Sequence, residues 1–158
     1  MIVFQTHNDT LSAEKERART ATSAPQWDRL FYGNFVINIA GKEFGNVDCG
    51  LSLTSAFLAG VRRIMFSGSK LQRITFLESH HTVGIQVASD SDNIQLSASE
   101  SSDNLFGPNS IVSEQISAIA FSNAVADEFV RLFLEASKAY ERFDFNQQNS
   151  HLLKWVNE

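Results

Sequence analysis

Three side chains that could bind a metal or transfer a proton lie close together near the middle of the chain. Glu78, His80 and His81 occur in the stretch ITFLESHHTVGIQV, between two alternating apolar runs. Carboxylate and imidazole groups are zinc ligands, and histidine titrates near neutral pH. A metal site needs three or four ligands at compatible spacing, however, and adjacent residues at a hairpin turn diverge. The pattern therefore favours an exposed turn, with these three residues kept as candidates for a metal or small-ligand site.

Other segments that resemble catalytic or ligand-binding motifs are incomplete. FSGSK lacks the earlier glycine of a phosphate-binding loop, and DSDN lacks the glycine and the final glutamate of a calcium loop. Cys49 precedes a predicted helix but has no histidine near it in sequence, which is typical of an unreactive thiol. We therefore expect a protein that is not an enzyme and that carries no cofactor.

The length and composition are those of a compact domain. The chain has 158 residues, is 43% hydrophobic and carries a formal net charge of −5. We interpret residues 1–158 as a single α+β domain, because this length suffices to bury a sizeable core. The chain has no apolar run of the roughly 20 residues that a membrane helix needs, no signal-peptide pattern and one cysteine. We expect a cytoplasmic protein that does not enter a membrane.

The first half of the chain predicts strands followed by a helix. MIVFQ is compatible with a short strand, whereas residues 12–26 lack apolar periodicity and are interpreted as an exposed connector. Alternating residues in NFVINIAGKEFGNV predict a hairpin. In LSLTSAFLAGVRRIM, apolar residues recur at spacings of three and four, which predicts a helix.

The second half predicts a meander, a further strand and a long helix. LQRITFLES, TVGIQVASD and NIQLSASES alternate with period two, and IVSEQISAIAF is interpreted as one more strand. SNAVADEFVRLFLEASKAYERF has the strongest helical pattern in the chain. The expected fold class is α+β: an antiparallel sheet, built from a hairpin, a helix and a meander, packed against two main helices.

The meander is expected to have one buried face and one open face. Its aliphatic residues point to the core, and the other face carries small polar residues, among them Gln86 and Gln95. Four carboxylates that we expect to rim this face follow in the adjoining loops: Asp90, Asp92, Glu100 and Asp103. These six residues are candidates for partner binding, together with Trp155 in the C-terminal tail, which could anchor an interface.

The charges are distributed unevenly along the chain. Residues 74–130 contain no lysine or arginine but hold eight acidic residues. Nucleic-acid binding needs clustered basic residues, so this pattern argues against a nucleic-acid partner and favours a basic protein. A surface kept acidic for solubility is the simpler alternative.

The order of elements resembles that of the small α+β immunity proteins of bacterial toxin–immunity systems. The resemblance lies in the aromatic-rich segment WDRLFYGNFVINIAG, a helix, a meander and a long closing helix. It implies a protein that binds and inhibits a cognate basic toxin, and it assigns no residue roles. Two alternatives stay open: a structural or accessory domain that forms homo-oligomers, and a metal- or small-ligand-binding protein that uses Glu78, His80 and His81.

Overall fold

The computed structural model describes residues 2–77, 81–88, 92–100 and 105–157. The strands in these ranges are β1 (Ile2–Thr6), β2 (Tyr32–Ile39), β3 (Lys42–Cys49), β4 (Leu71–Thr75), β5 (Thr82–Val87), β6 (Asn93–Ser99) and β7 (Val112–Ser117). The α-helices are α1 (Asn8–Thr20), α2 (Gly50–Phe66), α3 (Ala118–Ala139), α4 (Phe145–Asn149) and α5 (Lys154–Asn157). Short 3₁₀ turns in the described ranges occupy Trp27–Arg29, Glu141–Phe143 and Ser150–Leu153.

The strands form two antiparallel sheets. The first has the order β1-β2-β3 and the second has the order β4-β5-β6-β7. Between β2 and β3, Ala40 and Gly41 have φ angles of 49° and 82°, the left-handed values that a tight two-residue hairpin turn requires. The predicted α+β class, hairpin and meander are confirmed. The expected single sheet is two sheets, because the hairpin pairs with β1 and the meander pairs with β7.

The core is centred on α2 and α3, which pack against each other and against both sheets. Phe4 of β1, Phe57 of α2 and Phe121 of α3 meet edge to face, with ring centroids 5.3 to 6.0 Å apart. Edge-to-face contacts between aromatic rings are favourable beyond the area that they bury. The three rings therefore join the first sheet to both helices.

The interpretation of residues 12–26 as an exposed connector is wrong for residues 12–20, which belong to α1. The buried residues of α1 are Thr10, Leu11, Glu14 and Ala18. Their spacing is helical, but only Leu11 is a large apolar residue, so the sequence shows no hydrophobic period. The helix packs on β2 where Gly33 leaves space, since a Cβ there would lie 2.2 Å from Thr10 Oγ1.

The buried carboxylate of Glu14 explains why a polar residue can occupy the inner face of α1. It accepts hydrogen bonds from the Tyr140 hydroxyl (2.5 Å) and the Phe31 amide (3.2 Å), and it pairs with Arg17 (3.2 Å). A buried charge is tolerated when it is paired and hydrogen-bonded. Glu14 therefore ties α1 to the start of β2 and to the end of α3.

The last predicted strand ends earlier than expected. β7 stops at Ser117, whose side chain accepts a hydrogen bond from the Ala120 amide and caps α3. The tail then packs on the core, with Phe145 and Leu152 buried. The Phe145 ring lies 5.7 Å from that of Phe133 on α3.

Two leucines of α3 provide a matched test of this packing. Leu132 is fully buried and Leu134 is 61% exposed. We expect Leu132→Ala to lower the free energy of unfolding by about 2–5 kcal/mol, because it leaves a cavity. Leu134→Ala should change it by about 0.5 kcal/mol or less. Urea denaturation measures both values, and equal losses would contradict the assignment of the buried face.

Candidate functional site

The polar face of the meander is covered at its centre, contrary to the expectation of an open face. Thr82 and Gly84 of β5 and Ser97 and Ser99 of β6 are buried on this side. Gln86 and Gln95 are half-buried, and Gln95 donates a hydrogen bond to Ser113 of β7. The two glutamines thus lie beside a covered area and do not belong to a broad exposed face.

The cover is the segment 105–110 between β6 and β7. The Phe106 amide donates a 2.9 Å hydrogen bond to Ser97 Oγ. Phe106 and Leu105 pack over Gly84, where a Cβ would lie 2.8 Å from the Phe106 ring and 3.1 Å from Leu105. Gly84 therefore provides space for these two side chains, and Ser97 accepts the hydrogen bond that holds Phe106 over this face.

The acidic candidates are placed at the two ends of β6. Asp92 precedes the strand, Glu100 follows it, and both are exposed. At about 3.3 Å per residue, they lie roughly 25 Å apart. The Asp92 carbonyl accepts a hydrogen bond from the Ala118 amide at the start of α3. Asp90 and Asp103 fall outside the described residues.

Of the histidine–glutamate cluster, only His81 lies within the described residues. Its carbonyl accepts a hydrogen bond from the Phe76 amide (3.0 Å), and its ring packs edge to face on Phe76. Within the described part of the chain, His81 Nδ1 is buried without a hydrogen-bond partner, and no group of three potential metal ligands is present. A metal site at Glu78, His80 and His81 stays a prediction, because Glu78 and His80 fall outside that part.

Asp48 links the end of β3 to Leu77, which lies shortly after β4. Its carboxylate accepts hydrogen bonds from the Cys49 amide (2.6 Å) and the Leu77 amide (2.7 Å). Burial raises the pKa of Asp48 above its usual 3.8, while the two amides oppose the shift. Burial and the neighbouring Asp48 also raise the pKa of the Cys49 thiol. A raised pKa disfavours the thiolate, so Cys49 is unsuited to act as a nucleophile.

An apolar groove lies between α2, α3 and the C-terminal tail. It encloses about 250 Å³ and includes Met65 and Phe66 of α2, Ile119 and Ala126 of α3, and Trp155 of α5. Phe66 is 82% exposed and Ile119 is 72% exposed. Trp155, a predicted partner-binding residue, is therefore brought to the same surface as two large exposed apolar side chains.

Sequence reasoning selected Trp155 as a candidate for partner binding, which stays a prediction, but it missed the groove. Arg62 lines it as well, and its guanidinium carbon lies 6.0 Å from the centre of the Trp155 ring. The signal in the sequence was that Phe66 and Ile119 are apolar but lie outside the faces of α2 and α3 on which the buried apolar residues recur. Recognising a groove also required the position of the tail, which helical periodicity does not provide.

Comparison with protein-family models, curated proteins and solved structures finds no match. No family is assigned on this basis. Within the described part of the chain, no helix is long and apolar enough to cross a membrane.

The hydrogen bond that holds the covering segment can be tested through a single amide. We expect Ser97→Ala to speed hydrogen exchange at the Phe106 amide and to cost about 1 kcal/mol of stability, because that amide loses its acceptor. Ser113→Ala, which removes an exposed acceptor on β7, is the control and should leave Phe106 unchanged. Unaltered exchange in both variants would contradict the role of Ser97.

Asp48 should give a measurable pH dependence of stability. The folded protein holds the proton of the Asp48 carboxyl group more tightly than the unfolded chain does, so protonated Asp48 stabilises the folded state. This stabilisation is fully present below pH 3.8 and is lost as the pH rises through the raised pKa. The free energy of unfolding of the wild type, relative to Asp48→Asn, should therefore fall as the pH rises above 3.8 and through the raised pKa. Urea denaturation across this range measures it, and a rising difference would reverse the assigned shift.

Proposed function

We propose that the protein binds and inhibits a basic protein partner through an acidic surface, as immunity proteins do. The observation that supports this is a set of three exposed carboxylates: Asp92, Glu100 and Asp127. Among the described residues, none of the three forms an ion pair. Their charge is therefore available to another molecule.

The chain segment that carries these carboxylates forms one region. Residues 74–130, which contain no lysine or arginine, supply β5, β6, β7 and the first half of α3. Consecutive strands of this segment pair with each other. Their negative charges thus lie on elements that are neighbours in the fold, with Asp92 and Glu100 at opposite ends of β6. Summed charges of one sign raise the rate of encounter with an oppositely charged partner.

The other described acids of this segment are neutralised from outside it. Glu114 lies 3.8 Å from Lys42, and Glu128 forms a 2.6 Å ion pair with Arg131. Among the described residues of this segment, the negative electrostatic field therefore comes from Asp92, Glu100 and Asp127. Asp90 and Asp103 belong to the same segment and would add to it.

Inhibition by such a protein requires no catalytic group. Binding over a basic surface excludes the partner's own substrate by occupying the same space and by neutralising the charge that attracts it. The Cys49 thiol is buried and so is not presented to a substrate, which agrees with a function that depends on surface contact. We also propose that the protein acts in the cytoplasm.

The proposal is tested by removing exposed charge. The variant Asp92→Asn/Glu100→Gln should bind its partner about tenfold more weakly, because two charges that steer and hold a cationic surface are lost. Binding of the wild type should also weaken at high ionic strength. The partner is captured from extracts of the source cells, identified by mass, purified and titrated against both forms while its own activity is followed.

The control carries the same change of charge elsewhere. Glu141→Gln/Asp144→Asn removes two exposed carboxylates near the end of α3, and Asn tolerates the left-handed φ of 55° at position 144. This variant should bind like the wild type. A partner without net positive charge, equal weakening in both variants, or binding without loss of partner activity would reject an inhibitor that acts through the acidic surface.

Metal or small-ligand binding at Glu78, His80 and His81 is the remaining alternative with a named site. It requires that purified protein retain a metal and that His80→Ala/His81→Ala release it. The homo-oligomeric alternative requires an exposed apolar surface that can face a second copy of itself.

A further inference from the structure

We propose that the groove between α2, α3 and Trp155 is a self-association interface whose occupant is a second copy of this chain. This inference concerns a surface that adjoins Asp92 and Asp127 of the acidic one, and it does not rest on the inhibition of a basic partner. Its basis is the exposure of Phe66 (82%) and Ile119 (72%) beside the groove. Clustered exposed apolar side chains mark interaction sites, whereas isolated ones need no explanation.

The patch combines a projecting side chain and a recess, which suits a two-fold interface. Phe66 ends α2 at the margin of the groove, and Met65, Ala126 and Trp155 supply apolar surface within it. In a two-fold dimer the same patch is used by both subunits, so a residue and its neighbouring recess meet reciprocally. Phe66 of each copy would enter the groove of the other.

The charges around the groove are mixed, which removes the main objection to contact between two acidic chains. Arg62 lines the groove on α2, and Arg63 next to it is exposed. On the other side, Asp127 is exposed on α3, and Asp92 is bonded through its carbonyl to the start of α3. A two-fold axis along the groove places α2 of one copy over α3 of the other, which brings the exposed Arg63 of one copy to the side that carries the exposed Asp127 of the other.

The number of residues that line the groove indicates the class of interface that it can form. Twelve described residues line the groove, whereas a stable interface of standard size uses about 20–30 residues on each side. An interface below the standard size is typical of reversible association. Two-fold homodimers are the commonest homo-oligomers of soluble proteins, so a two-fold axis is the expected symmetry of this dimer.

Sedimentation equilibrium of the full chain tests the interface. Between about 1 μM and 1 mM, a range of concentrations in which weak, reversible dimers form, the mass should rise from one chain towards two. Phe66→Ser and Ile119→Ser should each weaken the dimer about tenfold or more, because anchors of an interface contribute most of its affinity. Leu134→Ser, which replaces an equally large exposed residue on the far half of α3, is the control and should leave the dimer unchanged.

A second measurement reports on the groove itself. The chain has two tryptophans, so Trp27→Phe leaves Trp155 as the only one. Its fluorescence should shift to shorter wavelength as concentration rises, because the dimer excludes water from the ring, and Ile119→Ser in the same background should abolish the shift. Since Phe66 and Ile119 are exposed, circular dichroism should confirm that these variants fold like the wild type.

Three outcomes would overturn the inference: a mass of one chain at all concentrations, a dimer that persists in both groove variants, or equal weakening by Leu134→Ser. Glu100→Gln separates this inference from the proposed inhibitor. Glu100 lies at the end of β6 away from Asp92 and the start of α3, so this variant should dimerise normally even where it binds a basic partner less tightly.

Discussion

The packing of α2 against α3 is the contact around which the other elements are arranged. Phe57 and Phe121 meet across it at 6.0 Å. Gly50 permits close approach at one end, since a Cβ there would lie 2.8 Å from the Leu132 side chain. Because the start of α2 meets the late part of α3, the helices run antiparallel. The end of α2 then lies beside the start of α3, and the apolar groove forms at that position.

The carboxylates of this chain fall into two groups with different consequences. Glu14 and Glu128 are buried, and both accept backbone hydrogen bonds, from Phe31 and Thr6 respectively. Buried acids with such partners hold elements together and contribute little to the outer field. Asp92 and Glu100 are exposed and have no structural partner of this kind in the described part of the chain. A count of acidic residues therefore overstates the surface available to a basic partner.

Local patterns in the sequence were sufficient for most elements and insufficient for the surfaces between them. Period-two alternation identified β5 and β6, and helical spacing identified α2 and the main part of α3. Helix α1 escaped detection because Glu14 occupies a position where a periodic pattern requires an apolar residue. The partner-binding candidates Gln86 and Gln95 were chosen on an open face, but the segment 105–110 covers the middle of that face.

The sequence by itself determined the α+β class, the hairpin, the meander and the long stretch without basic residues, because each depends on neighbours within a few positions. Only the tertiary structure decided which faces are covered. Phe106 covers Gly84 from 22 positions further along the chain, and Trp155 closes a groove on α2 from almost 90 positions away. Such contacts depend on the packing of elements in space, and no local period encodes them.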